Sequence, residues 1–313
     1  MGQTRGIPGA PGQGTGDKVS LLPHGESARS SDVIRTPDRG LSGPLEKPIT
    51  LSAPAKLTVS LRITGVRPDG YHVLDSEMVS IDLADTLTFE PGVGLAVVDQ
   101  VEGGMGLADV PAGPGNLVSR ALELVGRQAA VRLVKRIPSG AGLGGGSADA
   151  AAVLRWARRT DVELAVTLGA DVPFCVLGGR ARVRGIGEVI EPLPFEDRRF
   201  LVLLPPVAVH TAAVYRMWDY LSPGPLGRED QGMPGSDNDL ERAAISVAPT
   251  LKHWRDILGN ATGCQPQLAG SGSSWFVEGT RDSPGVDGRE FLVLGDLRAP
   301  LLAVRTVPTL PLV

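Results

Sequence analysis

Pro138, Gly140, Ala141, Gly142, Leu143, Gly144, Gly145, Gly146, Ser147 and Ala148 form one continuous glycine-rich run, interrupted only by Ser139. Glycines in such number let a backbone approach an anion closely and aim several N–H groups at it. The alanine-rich stretch that follows reads as a helix starting near Ser147, whose positive dipole end favours the same anion. The chemistry suited to this run is polyphosphate binding, with the Ser147 hydroxyl offered to a phosphate or a metal. It is not a Walker A loop, because no Lys-Ser or Lys-Thr follows the last glycine. Gly140, Gly142 and Gly145 do match GxGxxG, but a dinucleotide fold needs a strand ending in an acid about twenty positions on. Arg158 to Val166 reads helical there instead.

Other residue types in the chain can take part in chemistry, and each also has a purely structural reading. Lys56 alternates with apolar neighbours and reads as a residue on the polar face of a strand. Asp171 precedes Val172-Pro173 and reads as a turn carboxylate. Tyr71 and His72 follow an Asp69-Gly70 turn, and a histidine offers both a donor and an acceptor. Tyr215 belongs to a stripe with Val214 and Trp218 that suits either a core or a stacking surface, beside Arg216. Asn116 stands where a helix cap is expected. Gly270, Ser271 and Gly272 make a second glycine turn.

The elements that must position these residues follow from periodicity. In residues 53–64, Ala55, Leu57, Val59, Leu61 and Ile63 alternate with polar residues, the mark of a half-buried strand. Residues 76–83, 86–91 and 131–138 read as further strands, and 113–128 as a helix with a stripe of Leu117, Ala121, Leu124 and Val125. A short helix is expected at 160–168, capped by Thr160 or Asp161, then a turn and a strand over 169–179. Residues 200–206 read as a buried strand and 211–221, 238–247 and 248–260 as helices. Residues 222–238 read as a loop on their Pro and Gly content, and 265–279 as strand, glycine turn, strand.

The 313 residues are 42% hydrophobic and 21% charged, with a net charge of −4. This is the profile of a globular protein large enough for two modest domains. It carries no general basic surface for nucleic acid or an anionic membrane. No apolar run reaches membrane-spanning length and no secretory signal is expected, which points to the cytoplasm. Cys175 and Cys264 belong to no metal-binding cluster; two reduced thiols are expected, with a disulfide between them left open. Residues 1–47 read as a disordered tail.

Five segments in order resemble the GHMP kinases. Residues 138–151 resemble their nucleotide-phosphate loop, 53–72 their first motif, 115–118 the adenine-side segment, 169–174 the catalytic aspartate segment and 268–279 the third motif. The Gly-Tyr-His at 70–72 and the Gly-Ala-Asp-Val-Pro-Phe at 169–174 are similar to the branch acting on 4-diphosphocytidyl-2-C-methyl-D-erythritol. The resemblance covers about Ser52 to about Gly279. It implies an α+β, two-domain GHMP kinase fold with the active site in the inter-domain cleft. The domains expected are 48–178 (nucleotide-binding) and 179–313.

It also implies an ATP-dependent kinase that phosphorylates the 2-hydroxyl of that substrate in the non-mevalonate isoprenoid pathway, with Mg²⁺ as cofactor. Asp171 would be the base and Lys56 its partner. Asn116 would lie beside the adenine, and residues 138–148 would hold the phosphates, with Ser147 the candidate Mg²⁺ ligand. Tyr71 and His72 would lie at the cytosine end, with Tyr215 stacking on the base, Arg216 near the diphosphate, and Gly270, Ser271 and Gly272 also contacting substrate. Family members commonly carry Asn where Thr58 stands. The rival readings are a kinase of mevalonate-type or homoserine-type alcohols, a dinucleotide-binding oxidoreductase, and a non-catalytic nucleotide-binding relative.

Overall fold

A computed structural model describes residues 47–101, 110–222, 237–283 and 285–311. The expected disordered tail, except residue 47, and most of the expected loop at 222–238 lie outside these residues. The described residues belong to one compact unit.

The first sheet begins with β1 (Ile49–Val66) and β2 (His72–Glu90), paired antiparallel. The turn between them is closed by Arg67 N to Tyr71 O (2.7 Å) and Gly70 N to Arg67 O (2.9 Å), with Gly70 at φ +86°. The two strands expected at 76–83 and 86–91 are one: β2 runs through Ala84 and Asp85 unbroken. β3 (Gly94–Asp99) pairs parallel with β4 (Ala130–Lys135). With β5 (Arg180–Gly185) and β6 (Val189–Pro192) the order is β3-β4-β2-β5-β6, and β1 pairs with β2. Helices α1 (Leu117–Leu124), α2 (Gly145–Trp156), α3 (Val162–Val166) and α4 (Val172–Leu177) lie in the same part of the chain.

The strand expected after Gly169 is the helix α4. Pro173 falls in its first turn, where a missing N–H costs nothing, and Val172 to Val176 are all buried. The chain turns extended only after Gly178 and Gly179, both at positive φ. β5 and β6, which follow residue 178, belong to the first sheet.

The second sheet has the order β10-β11-β7-β9-β8, with β7 (Arg199–Leu203), β8 (Gln267–Leu268), β9 (Trp275–Glu278), β10 (Phe291–Leu294) and β11 (Leu297–Arg305). Helices α5 (Thr211–Leu221), α6 (Glu241–Val247) and α7 (Thr250–Thr262) pack on it through Trp218, Ala244 and Trp254. A third apolar cluster joins the halves: Ala55, Leu57, Val79, Ile137 and Leu143 meet Phe200, Val202, Ala269 and Phe276. β1 also takes backbone partners on the edge away from β2. Leu61 N donates to Asp237 O (2.7 Å), and Asp239 N donates to Leu61 O (2.9 Å). Residues beyond β11 return to the first half: Val307 N bonds Ser80 O (2.9 Å) and Leu310 N bonds Leu177 O (3.3 Å). Cys175 is a buried and Cys264 an exposed free thiol. No helix among the described residues is long and apolar enough to cross a membrane.

Candidate active site

The two glycine turns face each other. The first enters α2 through Gly144, an N-cap in the left-handed region (φ +69°) with no capping side chain. α2 thus starts at Gly145, two residues before the expected Ser147. Its first intrahelical bond is donated by Ala148 to Gly144 O (2.9 Å), so the amides of Gly145, Gly146 and Ser147 are those a helix start leaves without an intrahelical acceptor. The second turn runs from β8 into β9 through Gly270 and Gly272, both at positive φ. Ser274 N bonds Ala141 O (3.2 Å), and Thr211 and Ser271 share a hydroxyl–hydroxyl bond (2.9 Å). A β-carbon on Gly142 would overlap the Ala269 carbonyl oxygen and stand 2.7 Å from that of Gly272. Only glycine lets the turns come this close.

Lys56 lies at this junction. Alternation places it on the polar face of β1, but residues 53–58 are buried on both faces and only 5% of Lys56 is exposed. Its stem fills the space a β-carbon on Gly144 would take, 2.7 Å from its Cγ, and Nζ lies 3.2 Å from the β-carbon position of Gly270. The ammonium is 3.2 Å from Asp171 Oδ2 and donates to Thr58 Oγ1 at 3.1 Å. Thr58 thus supplies an acceptor for the ammonium. Asp171 is the N-cap of α4 and 30% of its side chain is exposed, so it sees both the lysine and solvent. Chain separation hides this meeting of residues 56, 58, 144, 171 and 270; only the tertiary fold assembles it.

A second cluster is built around His72. Its Nε2 is 2.7 Å from Asp219 Oδ1, and its ring centroid lies 4.8 Å from that of Tyr215 and 5.4 Å from that of Trp218. Tyr215 packs on the second-half core, yet is not fully buried. Burial pushes its phenol above the usual range, and the Asp171 charge adds to this. The ring thus packs on the core while part of it stays accessible. Tyr71 is 60% exposed, and Arg216 is also exposed. Asn116 caps α1: Oδ1 accepts from Val118 N (2.9 Å) and Nδ2 donates to Pro111 O (2.8 Å).

Several residues at the site were not anticipated. Lys135, Asp85 and Asp149 form a buried ionic cluster at the start of α2. Lys135 Nζ lies 2.7 Å from Asp149 Oδ2, is paired with Asp85 Oδ2, and stands 3.1 Å from the β-carbon position of Gly145. Asp85 Oδ1 also accepts from Ile137 N (2.9 Å), fixing the entry to the loop. The signal was present in the parity of β4, where Lys135 shares a face with buried Val131 and Leu133. Asn238 is a second such residue: Nδ2 holds the carbonyls of Leu268 (2.8 Å) and Gly270 (2.7 Å), shaping the second glycine turn.

Burial raises Asp149 to about 7; Lys135 opposes that shift and Asp85 adds to it. An acid whose folded pKa lies above its unfolded value binds more protons when folded. Its contribution to stability is then present at low pH and is lost as pH rises from about 4 to about 7. Asp149→Asn should therefore gain in melting temperature relative to the parent as pH is raised from about 5 to about 8. Thermal melts of both proteins across that range check this, and a relative loss with rising pH would show that Lys135 dominates the carboxyl.

The family model for the GHMP kinases N-terminal domain matches residues 116–179. A 4-diphosphocytidyl-2-C-methyl-D-erythritol kinase of Paracoccus denitrificans is 37% identical over 237 residues, covering 72% of this chain and 85% of the relative. The enzyme of the same name from Ruegeria pomeroyi is 38% identical, over 72% of this chain and 86% of its own. The crystal structure of a 4-(cytidine 5'-diphospho)-2C-methyl-D-erythritol kinase superposes with a TM-score of 0.56 at 35% identity, covering 75% of this chain and 91% of that one. A homoserine kinase from Cytophaga hutchinsonii, with a TM-score of 0.55 at 17% identity over 86% of this chain and 98% of its own, shares the fold.

Proposed function

The chain belongs to the 4-diphosphocytidyl-2-C-methyl-D-erythritol kinase family, and from that premise we propose how its own residues divide the reaction. It is an ATP-dependent small-molecule kinase of α+β GHMP fold, acting in the methylerythritol route to isoprenoid precursors. The observation that carries the residue assignment is the 3.2 Å contact between Lys56 Nζ and Asp171 Oδ2 at the junction of both glycine turns.

Phosphoryl transfer needs positioning and charge neutralisation more than covalent help from the protein. The amides of Gly145, Gly146 and Ser147, at the positive end of α2, hold the ATP phosphates. Pro138, Gly140, Ala141, Gly142, Leu143, Gly144 and Ala148 shape that cradle, and Asn116 borders the adenine. Asp171 receives the proton of the substrate 2-hydroxyl. Lys56 keeps that carboxylate charged and faces the transferred phosphoryl group. The Ser147 hydroxyl would hold a Mg²⁺, whose charge would offset that of the phosphates. No group of three or more His, Cys, Asp or Glu suited to a metal occurs among the described residues. Gly270, Ser271 and Gly272 line the substrate side, with Arg216 toward its diphosphate.

His72 and Tyr215 take the cytosine, with Tyr71 at the mouth. Tyr215→Ala should raise KM for the cytidyl substrate by about 1–3 kcal/mol in free-energy terms while ATP affinity stays near the parent value. Tyr215→Phe should be mild. Steady-state kinetics checks both, and an unfolded Tyr215→Ala would assign the ring to the core alone. The reading as a whole is tested by ADP release with 4-diphosphocytidyl-2-C-methyl-D-erythritol, mevalonate and homoserine side by side. Turnover is expected with the first; comparable turnover with either of the others would remove the cytidyl assignment.

A further inference from the structure

Arg155 stands in the last turn of α2 and is 2% exposed. A guanidinium is costly to bury, and a residue chosen for packing alone would be apolar. Burial lowers Arg155 to about 10, so it remains charged at neutral pH. Its hydrogen-bond partners are main-chain carbonyls: Nη1 donates to Cys175 O at 2.8 Å and Nη2 to Ser52 O at 2.7 Å. The Cys175 thiol, pushed up to about 12 by burial, offers no compensating charge.

The two carbonyls belong to the two segments that carry the reacting side chains. Ser52 lies on β1, four residues before Lys56. Cys175 lies one turn along α4 from Asp171, and its amide bonds Asp171 O at 3.1 Å. Arg155 itself sits on the helix that the phosphate loop opens. One planar fork thus ties together the strand of the lysine, the helix of the aspartate and the helix of the glycine loop. The fork geometry matters, because two divergent donors on a rigid plane fix two acceptors at once, whereas an ammonium is a single point on a flexible stem.

We propose that Arg155 is a positioning residue for phosphoryl transfer: its guanidinium holds β1 and α4 in register on α2, and so sets Lys56 and Asp171 at reacting distance beneath the glycine loop. This rests on the assignment of Lys56 and Asp171 given above. Arg155 touches no reacting atom; it acts through the backbone of its neighbours.

The test uses the full chain with Arg155→Lys, Arg155→Met, Asp171→Asn and the Arg155→Lys/Asp171→Asn double variant. Melting temperature, kcat and both KM values are measured for each. For folded Arg155→Lys, kcat should fall about tenfold or more while KM for ATP stays within about threefold, since displacement by an ångström can cost about a hundredfold in rate. Arg155→Met should fall further. In the Asp171→Asn background the same Arg155→Lys change should cost less than about twofold, because Lys56 and Asp171 work as one unit and the pair that Arg155 positions is already broken. A kcat for Arg155→Lys within about twofold of the parent overturns the proposal, and so does an equal fold-loss in both backgrounds. Failure of both Arg155 variants to fold also overturns it, by assigning the arginine to the fold itself. Near-parental kcat in Asp171→Asn alone would instead remove the underlying assignment of Asp171, and the proposal with it.

Discussion

Asp171→Asn should lower kcat by about 10²–10⁴-fold, the scale of general base catalysis, and leave ATP affinity almost unchanged. The substitution keeps shape and volume but removes charge and basicity. The Asp171 carboxylate sits 3.2 Å from a 5%-exposed lysine, so the variant also leaves that ammonium with Thr58 as its remaining described partner. An uncompensated buried charge is itself destabilising, and Lys56 is expected to shift toward other acceptors. Lys56→Ala should damage kcat as well. The double variant should be little worse than the worse single, because the pair works as one unit. A loose transition state with little proton removal predicts otherwise: Asn would still accept the hydroxyl hydrogen bond and retain much of the rate. Measuring kcat at saturating substrates for the two singles and the double decides between these. Near-parental kcat in Asp171→Asn would exclude the base, and strict additivity would exclude the coupling.

Gly142→Ala, a change of one methyl group, should cost at least about 10² in kcat/KM, the penalty of misplacing reacting groups by about an ångström. The new β-carbon would overlap the Ala269 carbonyl oxygen and press on that of Gly272, and the residue would have to hold φ +78°. These neighbours are backbone, so no side-chain rotation relieves the clash; the two glycine turns must separate. Separation moves Gly270 away from the Lys56 ammonium and disturbs the Asn238 bonds to Leu268 and Gly270. Gly140→Ala is the internal comparison. Its φ of +71° carries similar backbone strain, about 1–2 kcal/mol, but nothing lies within 4 Å of the new carbon. Gly140→Ala should therefore lose some stability and keep most of its activity. Equal kinetic losses in the two variants would mean that backbone conformation, not the contact between turns, governs the site.

These expectations rest on features of unequal legibility in the sequence. The glycine run and the alternation of β1 were plain, because local composition and a period of two report directly on backbone freedom and strand faces. What alternation misjudged was Lys56. A polar face is exposed only if nothing packs on it, and here the glycine turns do. The helix at Val172–Leu177 was hidden because a run of five buried residues between glycines reads equally as strand or helix. The cluster of Asp85, Lys135 and Asp149 and the reach of Arg155 depend on contacts spanning fourteen to a hundred and three positions. Window-based reading has no access to these. The pairing of His72 with Asp219 is likewise set by where α5 docks, not by either residue's neighbours.

The return of residues 307–310 onto the first half has a bearing on timing. A ribosome delivers the strand of Lys56 and the helix of Asp171 well before residues 237–239 and 307–310. Yet Leu61 takes its backbone partners from the former, and Ser80 and Leu177 from the latter. Until those late residues emerge, β1, β2 and the C-terminal end of α4 have main-chain groups without their final acceptors or donors. These long-range pairings can close only after the late residues have been made. A nascent chain halted before residue 307 would carry Lys56 and Asp171 and still lack the contacts that residues 307–310 make with Ser80 and Leu177.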